Sequence, residues 1–172
     1  GVPAVVEVAS WDDHGETGLL ERVAAMEARS DHPLARAILA YARGRGIPVN
    51  PATDFKIVQG KGATAMFGTE AYWLGSHRYL EERGQETPEV HQQLETMSGK
   101  GRTVVVVGDD THVCGLIGLA DDVRPESKAM VARLRSAGIE HVVMLTGDNR
   151  GTAETIARET GVDEIAAELL PE

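Results

Sequence analysis

The sequence Ser-Asp-His-Pro-Leu-Ala at residues 30–35 separates two segments with helical periodicity. Apolar residues recur at near-helical spacing over residues 19–26, and again along one face over residues 34–42. Glycines at positions 44 and 46 end the second segment. The stretch therefore predicts two consecutive helices that meet in a corner at residues 29–33.

The corner carries the first candidate binding residues. Ser30 or Asp31 is a suitable cap for the second helix, and Pro33 suits its first turn. His32 is thereby held at a helix start, where an imidazole can stack on a flat base or hydrogen-bond to it. An ordinary capped helix with an exposed histidine explains the same string. Glu27 precedes the corner, and its carboxylate could accept a hydrogen bond from an amino group; a solvated glutamate is the alternative.

Short β-type segments surround this hairpin of helices. Residues 108–110 (Gly-Asp-Asp) are typical of a tight turn between two of them. Ser76 can cap a short helix, and Pro88 opens another. The pattern predicts an antiparallel sheet with helices packed on one side. The strands are expected at residues 2–8, 55–58, 63–67, 71–74, 103–107 and 112–119.

The pattern changes after Leu119. A helix from Pro125 to Ser136, a buried-type strand at 141–145, a helix at 152–160 and a short strand at 164–167 alternate. Such alternation builds a parallel α/β sheet. We expect two domains, residues 1–119 and residues 120–172, the second being only part of a complete sheet.

Composition narrows the function classes. The 172 residues include 42% hydrophobic and 26% charged residues, which is typical of a folded domain. The net charge of −10 disfavours nucleic acid and anionic lipid as partners. No apolar run approaches the roughly 20 residues of a membrane helix, and no signal peptide is visible. The single cysteine, Cys114, excludes an internal disulfide and suits a reducing compartment.

Two glycine-containing loops could approach a ligand. Gly60-Lys61-Gly62 lies between two strands, where glycines permit positive φ and close backbone approach, although alone it predicts only a hairpin. It lacks the spacing of a phosphate-binding P-loop. Thr146-Gly147-Asp148-Asn149 follows a strand and precedes a helix, the position where open α/β sheets collect ligands. A hydroxyl and a backbone N–H there could hold a phosphoryl group.

The other histidines show no metal-ligand spacing, and we expect no metal site within the chain. They are His14, His77, His91, His112 and His141. His112 and Cys114 share a strand face, but two ligands fall short of a zinc site.

Taken together, these motifs resemble the ATP-binding region of P1B-type, heavy-metal-transporting P-type ATPases over essentially the whole chain. The resemblance implies an α/β fold: an antiparallel sheet flanked by a helical hairpin forms the nucleotide-binding domain, and part of a haloacid dehalogenase-like parallel α/β domain follows. Residues 30–33 correspond to the family's Ser-Glu-His-Pro motif, with aspartate in place of glutamate.

The resemblance also implies roles for individual residues. Glu27 and His32 would contact adenine, and Gly60 and Gly62 would line the same pocket. Gly75 and Ser76 match a later binding segment, in which Ser76-His77 replaces the usual asparagine–arginine pair. Thr146, Gly147 and Asp148 would belong to the catalytic segment that steadies the transferring phosphoryl group.

The implied partners are ATP, with Mg²⁺ in the full-length pump, and the remaining phosphorylation domain, actuator domain and membrane helices of the same polypeptide. The chain would be a cytoplasmic domain of an integral membrane protein in the plasma membrane. The Asp-Lys-Thr-Gly-Thr phosphorylation motif is expected just before Gly1 and the Gly-Asp-Gly-x-Asn-Asp motif beyond Glu172. The chain alone would then lack turnover. General likeness favours zinc, cadmium or cobalt over copper.

Three other interpretations stay open. One is the nucleotide-binding domain of another P-type cation pump, such as a potassium transporter. The second is a fragment of a haloacid dehalogenase-like phosphatase, which the Thr146 segment would suit. The third is a non-catalytic regulatory or interaction domain.

Overall fold

The structure, a computed structural model, describes residues 2–121, 125–145 and 150–167. No helix within these ranges is long and apolar enough to cross a bilayer. The elements follow in the order β1 Pro3–Ser10, α1 Gly15–Glu27, α2 Pro33–Gly44, β2 Thr53–Val58, β3 Gly62–Phe67, β4 Glu70–Gly75, α3 His77–Arg83, α4 Pro88–Gly99, β5 Thr103–Asp109, β6 Val113–Asp121, α5 Pro125–Ser136, β7 Val143–Leu145, α6 Arg150–Thr160 and β8 Glu164–Ala166.

A six-stranded antiparallel sheet forms the larger part of the molecule, in the order β1-β6-β5-β4-β3-β2. Each strand from β2 to β5 pairs with the next one along the chain, and β1 pairs with β6, so that Pro3 lies opposite Asp121. The helices α3 and α4 connect β4 to β5. The predicted antiparallel sheet and the hairpin of β5 and β6 are confirmed, but β5 continues through Gly108 and Asp109, so the turn lies between Asp109 and His112.

Helices cover both faces of this sheet. On one face, α1 and α2 pack fully buried side chains such as Leu19 and Ile38 against strand residues such as Val107. On the other, Leu80 of α3 packs with Val106. The prediction of helices on one side was therefore wrong. The four consecutive valines at 104–107 explain the difference, because alternate side chains of a strand point to opposite faces.

A second sheet follows, in which β7 and β8 pair in parallel. This confirms the alternating pattern predicted for the end of the chain. The expectation of a buried strand was wrong, because Val143 is 47% exposed and Leu145 is 70% exposed. Within the described residues this sheet has only two strands, which is too few to bury a strand on both faces.

Removing a core side chain between α1 and the six-stranded sheet should destabilise the fold. Leu20 is 1% exposed. We expect Leu20→Ala to lower the free energy of unfolding by about 2–5 kcal/mol, through lost burial and a residual cavity. Urea denaturation followed by tryptophan fluorescence measures the relevant transition, since Trp11 and Trp73 both pack in the six-stranded part.

Ile57→Ala is the control for this substitution, because Ile57 is 78% exposed on the edge strand. We expect it to cost less than about 1 kcal/mol. Equal losses in the two variants would contradict the described core.

Candidate functional site

A cavity of about 640 Å³ lies between the α1–α2 corner and the ends of β2, β3 and β4. Its volume falls in the range of roughly 300–1,000 Å³ that is common for small-molecule sites. Five of the six nucleotide-binding residues predicted from the sequence line it, and they are Glu27, His32, Gly62, Gly75 and Ser76. The fold thus brings together residues that are up to 49 positions apart in the chain.

A buried arginine fixes the helix that carries Glu27. The Arg22 guanidinium donates hydrogen bonds to the Tyr72 hydroxyl (2.7 Å) and to the Gly18 carbonyl (3.1 Å). The Tyr72 hydroxyl in turn donates to the Glu70 carboxylate at 2.7 Å. These bonds attach α1 to β4, so the last turn of α1 is held over the sheet at the cavity.

Glu27 is a buried carboxylate, 8% exposed, at the end of α1. Its side chain makes no hydrogen bond or ion pair with any residue that the structure describes. Burial raises the pKa of Glu27 to about 7. A ligand that donates a hydrogen bond to this carboxylate would remove an uncompensated desolvation cost.

His32 is itself the N-cap of α2, so the prediction that Ser30 or Asp31 caps this helix was wrong. Its Nδ1 accepts a hydrogen bond from the Leu34 N–H at 3.1 Å, and its own N–H donates to the Ser30 hydroxyl at 3.3 Å. The cap fixes the orientation of the ring at the cavity. In the neutral imidazole it also leaves the proton on Nε2, so that atom is the available donor.

Two glycines let β3 and β4 approach each other at the cavity. Gly62 and Gly75 are directly paired across the two strands. A Cβ at Gly62 would overlap the Leu74 carbonyl oxygen, and one at Gly75 would lie 2.5 Å from the Lys61 carbonyl oxygen. No larger residue fits at either position without a shift of the backbone.

Gly60, which the resemblance assigns to the pocket, is placed differently from Gly62. It lies in the turn before Gly62, with φ +73°, where the Lys61 N–H donates to the Val58 carbonyl at 3.0 Å. It is not among the residues that line the cavity. The predicted positive φ is confirmed at Gly60, whereas the predicted close backbone approach is found at Gly62.

Ser76 lines the cavity and caps α3, as the sequence predicted for the helix. Its hydroxyl accepts a hydrogen bond from the Tyr79 N–H and donates to the Lys61 carbonyl, both at 3.4 Å. These contacts are long, and the residue is exposed. The hydroxyl can therefore exchange one of them for a ligand.

Sequence reasoning missed the apolar side of the cavity. Phe55 and Ile57 line it from β2, an edge strand, and Leu34 and Ile38 line it from α2. The exposure of Phe55 (43%) and of Ile57 (78%) is unusual for such residues. Two apolar residues at alternate positions of an edge strand, next to a glycine turn, were the signal available in the sequence.

The predicted catalytic residues Thr146, Gly147 and Asp148 lie outside the described residues, as does Asn149. Their roles stay predictions. The strand that precedes them, β7, ends at Leu145 as expected.

Comparison with known proteins gives the family. The model of the haloacid dehalogenase-like hydrolase family matches residues 2–172. The chain belongs to this hydrolase family. Among curated proteins, a probable copper-transporting ATPase of Synechococcus elongatus is 39% identical over the whole of this chain. The chain spans 23% of the length of that protein. The resemblance to heavy-metal P-type ATPases stated from the sequence is confirmed.

Comparison with solved structures also identifies P-type ATPases as similar proteins. The structure of a zinc-transporting PIB-type ATPase is 28% identical with a TM-score of 0.87, covering 98% of this chain and 27% of that one. The isolated N-domain of a copper-transporting P-type ATPase is 25% identical with a TM-score of 0.56, covering 69% of this chain and 99% of that one. This chain thus corresponds to one part of the copper-transporting and zinc-transporting ATPases, which are longer proteins.

The buried Glu27 carboxylate should make stability depend on pH. Because the folded-state pKa (about 7) lies above the ordinary value of 4.5, the folded state holds the proton more tightly. Stability should therefore fall as pH rises from about 4.5 to 7 and stay reduced above pH 7. Between pH 5 and 8 we expect Glu27→Gln to gain on the order of 2 kcal/mol relative to the unmodified chain.

Urea denaturation of both proteins at intervals of pH measures this difference. If the two curves of unfolding free energy against pH run parallel, the Glu27 carboxylate is not desolvated in the folded state.

Proposed function

We propose that this chain is the ATP-binding region of a heavy-metal P-type ATPase, and that adenine occupies the cavity between the α1–α2 corner and β3–β4. One observation carries the proposal: the buried Glu27 carboxylate, which has no partner among the described residues, lines the same cavity as the fixed His32 ring and the Gly62–Gly75 pair. A cavity with one buried acceptor and mostly apolar walls suits a flat heteroaromatic base that carries an amino donor.

Adenine satisfies each of these features. Its exocyclic amino group can donate to the Glu27 carboxylate, which has no other partner in the described residues. Its faces can pack against Ile38 and Ile57 and stack on the His32 ring. The Nε2 proton of His32 offers a donor to the sugar or the phosphates. Gly62 and Gly75 line the cavity without side chains, so the base can approach the backbone of β3 and β4 there.

The cavity has few basic side chains that could bind the phosphates of a nucleotide. Lys61 and Arg29 line the cavity, but Lys61 forms an ion pair of 2.7 Å with Glu82. The chain as a whole carries a net charge of −10. Long-range repulsion and a shared lysine both limit the affinity for a polyphosphate. The proposal therefore requires weak nucleotide binding that rests mainly on contacts to the base.

The magnesium ion does not belong to the described part of the site. Glu27 is buried with a raised pKa, and no residue of the two described clusters of possible metal ligands lines the cavity. Mg²⁺ needs several oxygen ligands in octahedral geometry. We therefore assign it to parts of the full-length pump, together with the phosphorylated aspartate.

In that complete protein, the bound ATP would present its γ-phosphate to the aspartate of the phosphorylation domain, and Thr146, Gly147 and Asp148 would steady it. We propose residues 1–119 as the nucleotide-binding domain and residues 120–172 as part of the phosphorylation domain. The match of an isolated N-domain to 69% of the chain supports this boundary. Neither family phosphorylation motif occurs in residues 1–172, so this chain alone should not turn over ATP.

The heavy-metal branch is favoured over other cation pumps and over a free-standing phosphatase, because the relatives described above are named as copper or zinc transporters. Those names include both metals and so give no support to zinc over copper as cargo. We place the pump in a membrane, most simply the plasma membrane, with this domain on the cytoplasmic side. The actuator domain and membrane helices of the same polypeptide would be its partners.

We expect ATP to bind the chain with a dissociation constant on the order of 0.1–1 mM, roughly 4–5.5 kcal/mol, with little dependence on Mg²⁺. His32→Asn should weaken binding several-fold. Asparagine is also a good N-cap, so it removes the ring while keeping the helix start and the melting temperature. Isothermal titration calorimetry and a thermal melt measure both properties.

His14→Asn is the matched control, because His14 is also at an N-cap position but does not line the cavity. Its affinity for ATP should equal that of the unmodified chain. Unchanged affinity in His32→Asn, or sub-micromolar binding that requires Mg²⁺, would refute the proposed site.

A further inference from the structure

A second cluster of polar side chains joins α3, α4 and the loop between them. His77 begins α3, Glu86 lies in the loop, and His91 lies on α4. One oxygen of Glu86, Oε1, lies 2.8 Å from His77 Nε2 and 2.9 Å from His91 Nδ1. All three ligand atoms lie within 4.8 Å of one another. From this geometry we propose that His77, Glu86 and His91 form a binding site for a divalent transition metal such as Zn²⁺.

The distances suit a tetrahedral ion after a small movement. Zinc binds imidazole nitrogen and carboxylate oxygen at about 2.0–2.2 Å, so tetrahedral ligand atoms stand about 3.3 Å apart. The observed 2.8 and 2.9 Å are hydrogen-bond distances, in which each histidine donates to Glu86. Metal binding would displace the proton from each ligating nitrogen, to the other ring nitrogen of a neutral imidazole or to solvent from a protonated one, and the three side chains would move apart by roughly half an ångström.

Hydrogen bonds of the neighbouring residue, Gln85, fix the loop that carries Glu86 to β4 and β5. The neighbouring Gln85 accepts a hydrogen bond from the Trp73 indole at 3.1 Å and donates to the Asp109 carbonyl at 3.0 Å. Trp73 is fully buried. Glu86 is therefore presented to the two histidines by an ordered backbone, and only side chains need to adjust.

Charge and access also favour a cation. Glu81 lies 3.5 Å from His77 Nε2, and Glu95 lies 4.0 Å from His91 Nε2. Glu81 or water could complete the coordination, whereas Glu95 faces the other ring nitrogen of His91 and not the proposed ligand atom Nδ1. The histidines are accessible, since their side chains are 35% and 54% exposed.

The ligand types narrow the class of metal. Imidazole and carboxylate suit Zn²⁺ and its neighbours Co²⁺ and Ni²⁺, whereas Cu⁺ and Ag⁺ prefer sulfur ligands. The site holds no sulfur atom. It is also separate from the proposed nucleotide cavity, because none of its three residues lines that cavity.

The group Asp109, His112 and Cys114 is a weaker candidate. The Asp109 carboxylate oxygen already accepts hydrogen bonds from the Thr111 N–H, the Thr111 hydroxyl and the His112 N–H. Cys114 is buried, and burial raises the pKa of its thiol to about 12. A thiol that stays protonated is a poor ligand.

Titration calorimetry of the untagged chain with Zn²⁺ alone tests the proposal, in the absence of nucleotide. We expect one Zn²⁺ per chain, and a weakening of at least ~10-fold in His77→Ala and in His91→Ala. His141→Ala is the matched control, because His141 is also exposed and lies 2.9 Å from the Glu164 carboxylate. Its affinity for Zn²⁺ should not change.

Glu86→Gln separates a metal ligand from a structural hydrogen-bond acceptor, since glutamine can still accept from both histidines. It should keep the fold, checked by far-UV circular dichroism, and still lose Zn²⁺ by at least ~10-fold. Zn²⁺ should also raise the melting temperature of the unmodified chain but not of this variant, because a bound ion links α3 to α4. Absence of binding, or binding that all three variants retain, would overturn the proposal.

Discussion

The close approach of β3 and β4 at Gly62 and Gly75 is the constraint on which the proposed nucleotide cavity depends. Since a Cβ at either position would meet backbone, the two strands can pair there only through glycine. The pairing also brings the turn that contains Gly60 next to the start of α3, where the Ser76 N–H donates to the Lys61 carbonyl at 3.1 Å. The α1–α2 corner then covers this end of the sheet with the two groups that can contact a base.

The buried Glu27 carboxylate distinguishes this cavity from an ordinary packing gap between secondary-structure elements. A fold selected only for stability would place a hydrogen-bond partner beside a desolvated acid, or an apolar residue in its place. The Arg22–Tyr72 hydrogen bond instead attaches α1 to β4, and Glu27 at the end of the same helix lines the cavity. A largely buried carboxylate that lines a cavity and has no partner among the described residues is typical of a site whose partner arrives with the ligand.

Much of the fold was predictable from local pattern, because helical periodicity and turn residues act over a few positions. The antiparallel pairing of β5 and β6 and the parallel β7–β8 pair followed from such signals. Contacts between distant segments were not predictable. The burial of Glu27 depends on the sheet beneath it, and a glutamate at a helix end is usually solvated. The rings of His77 and His91 lie close together because a hydrogen bond from Trp73 to Gln85 fixes the loop between their helices. The spacing of residues in the sequence does not predict such a contact.

The contact between adenine and the helical corner is the central claim, and nuclear magnetic resonance of the chain with saturating ATP tests it most directly. Intermolecular nuclear Overhauser effects should join the adenine ring protons to the His32 ring and to the Ile57 methyl groups. His32 lines the cavity from the N-cap of α2, and Ile57 lines it from β2. Effects confined to residues outside the cavity, with none to His32 or Ile57, would contradict the placement of the base.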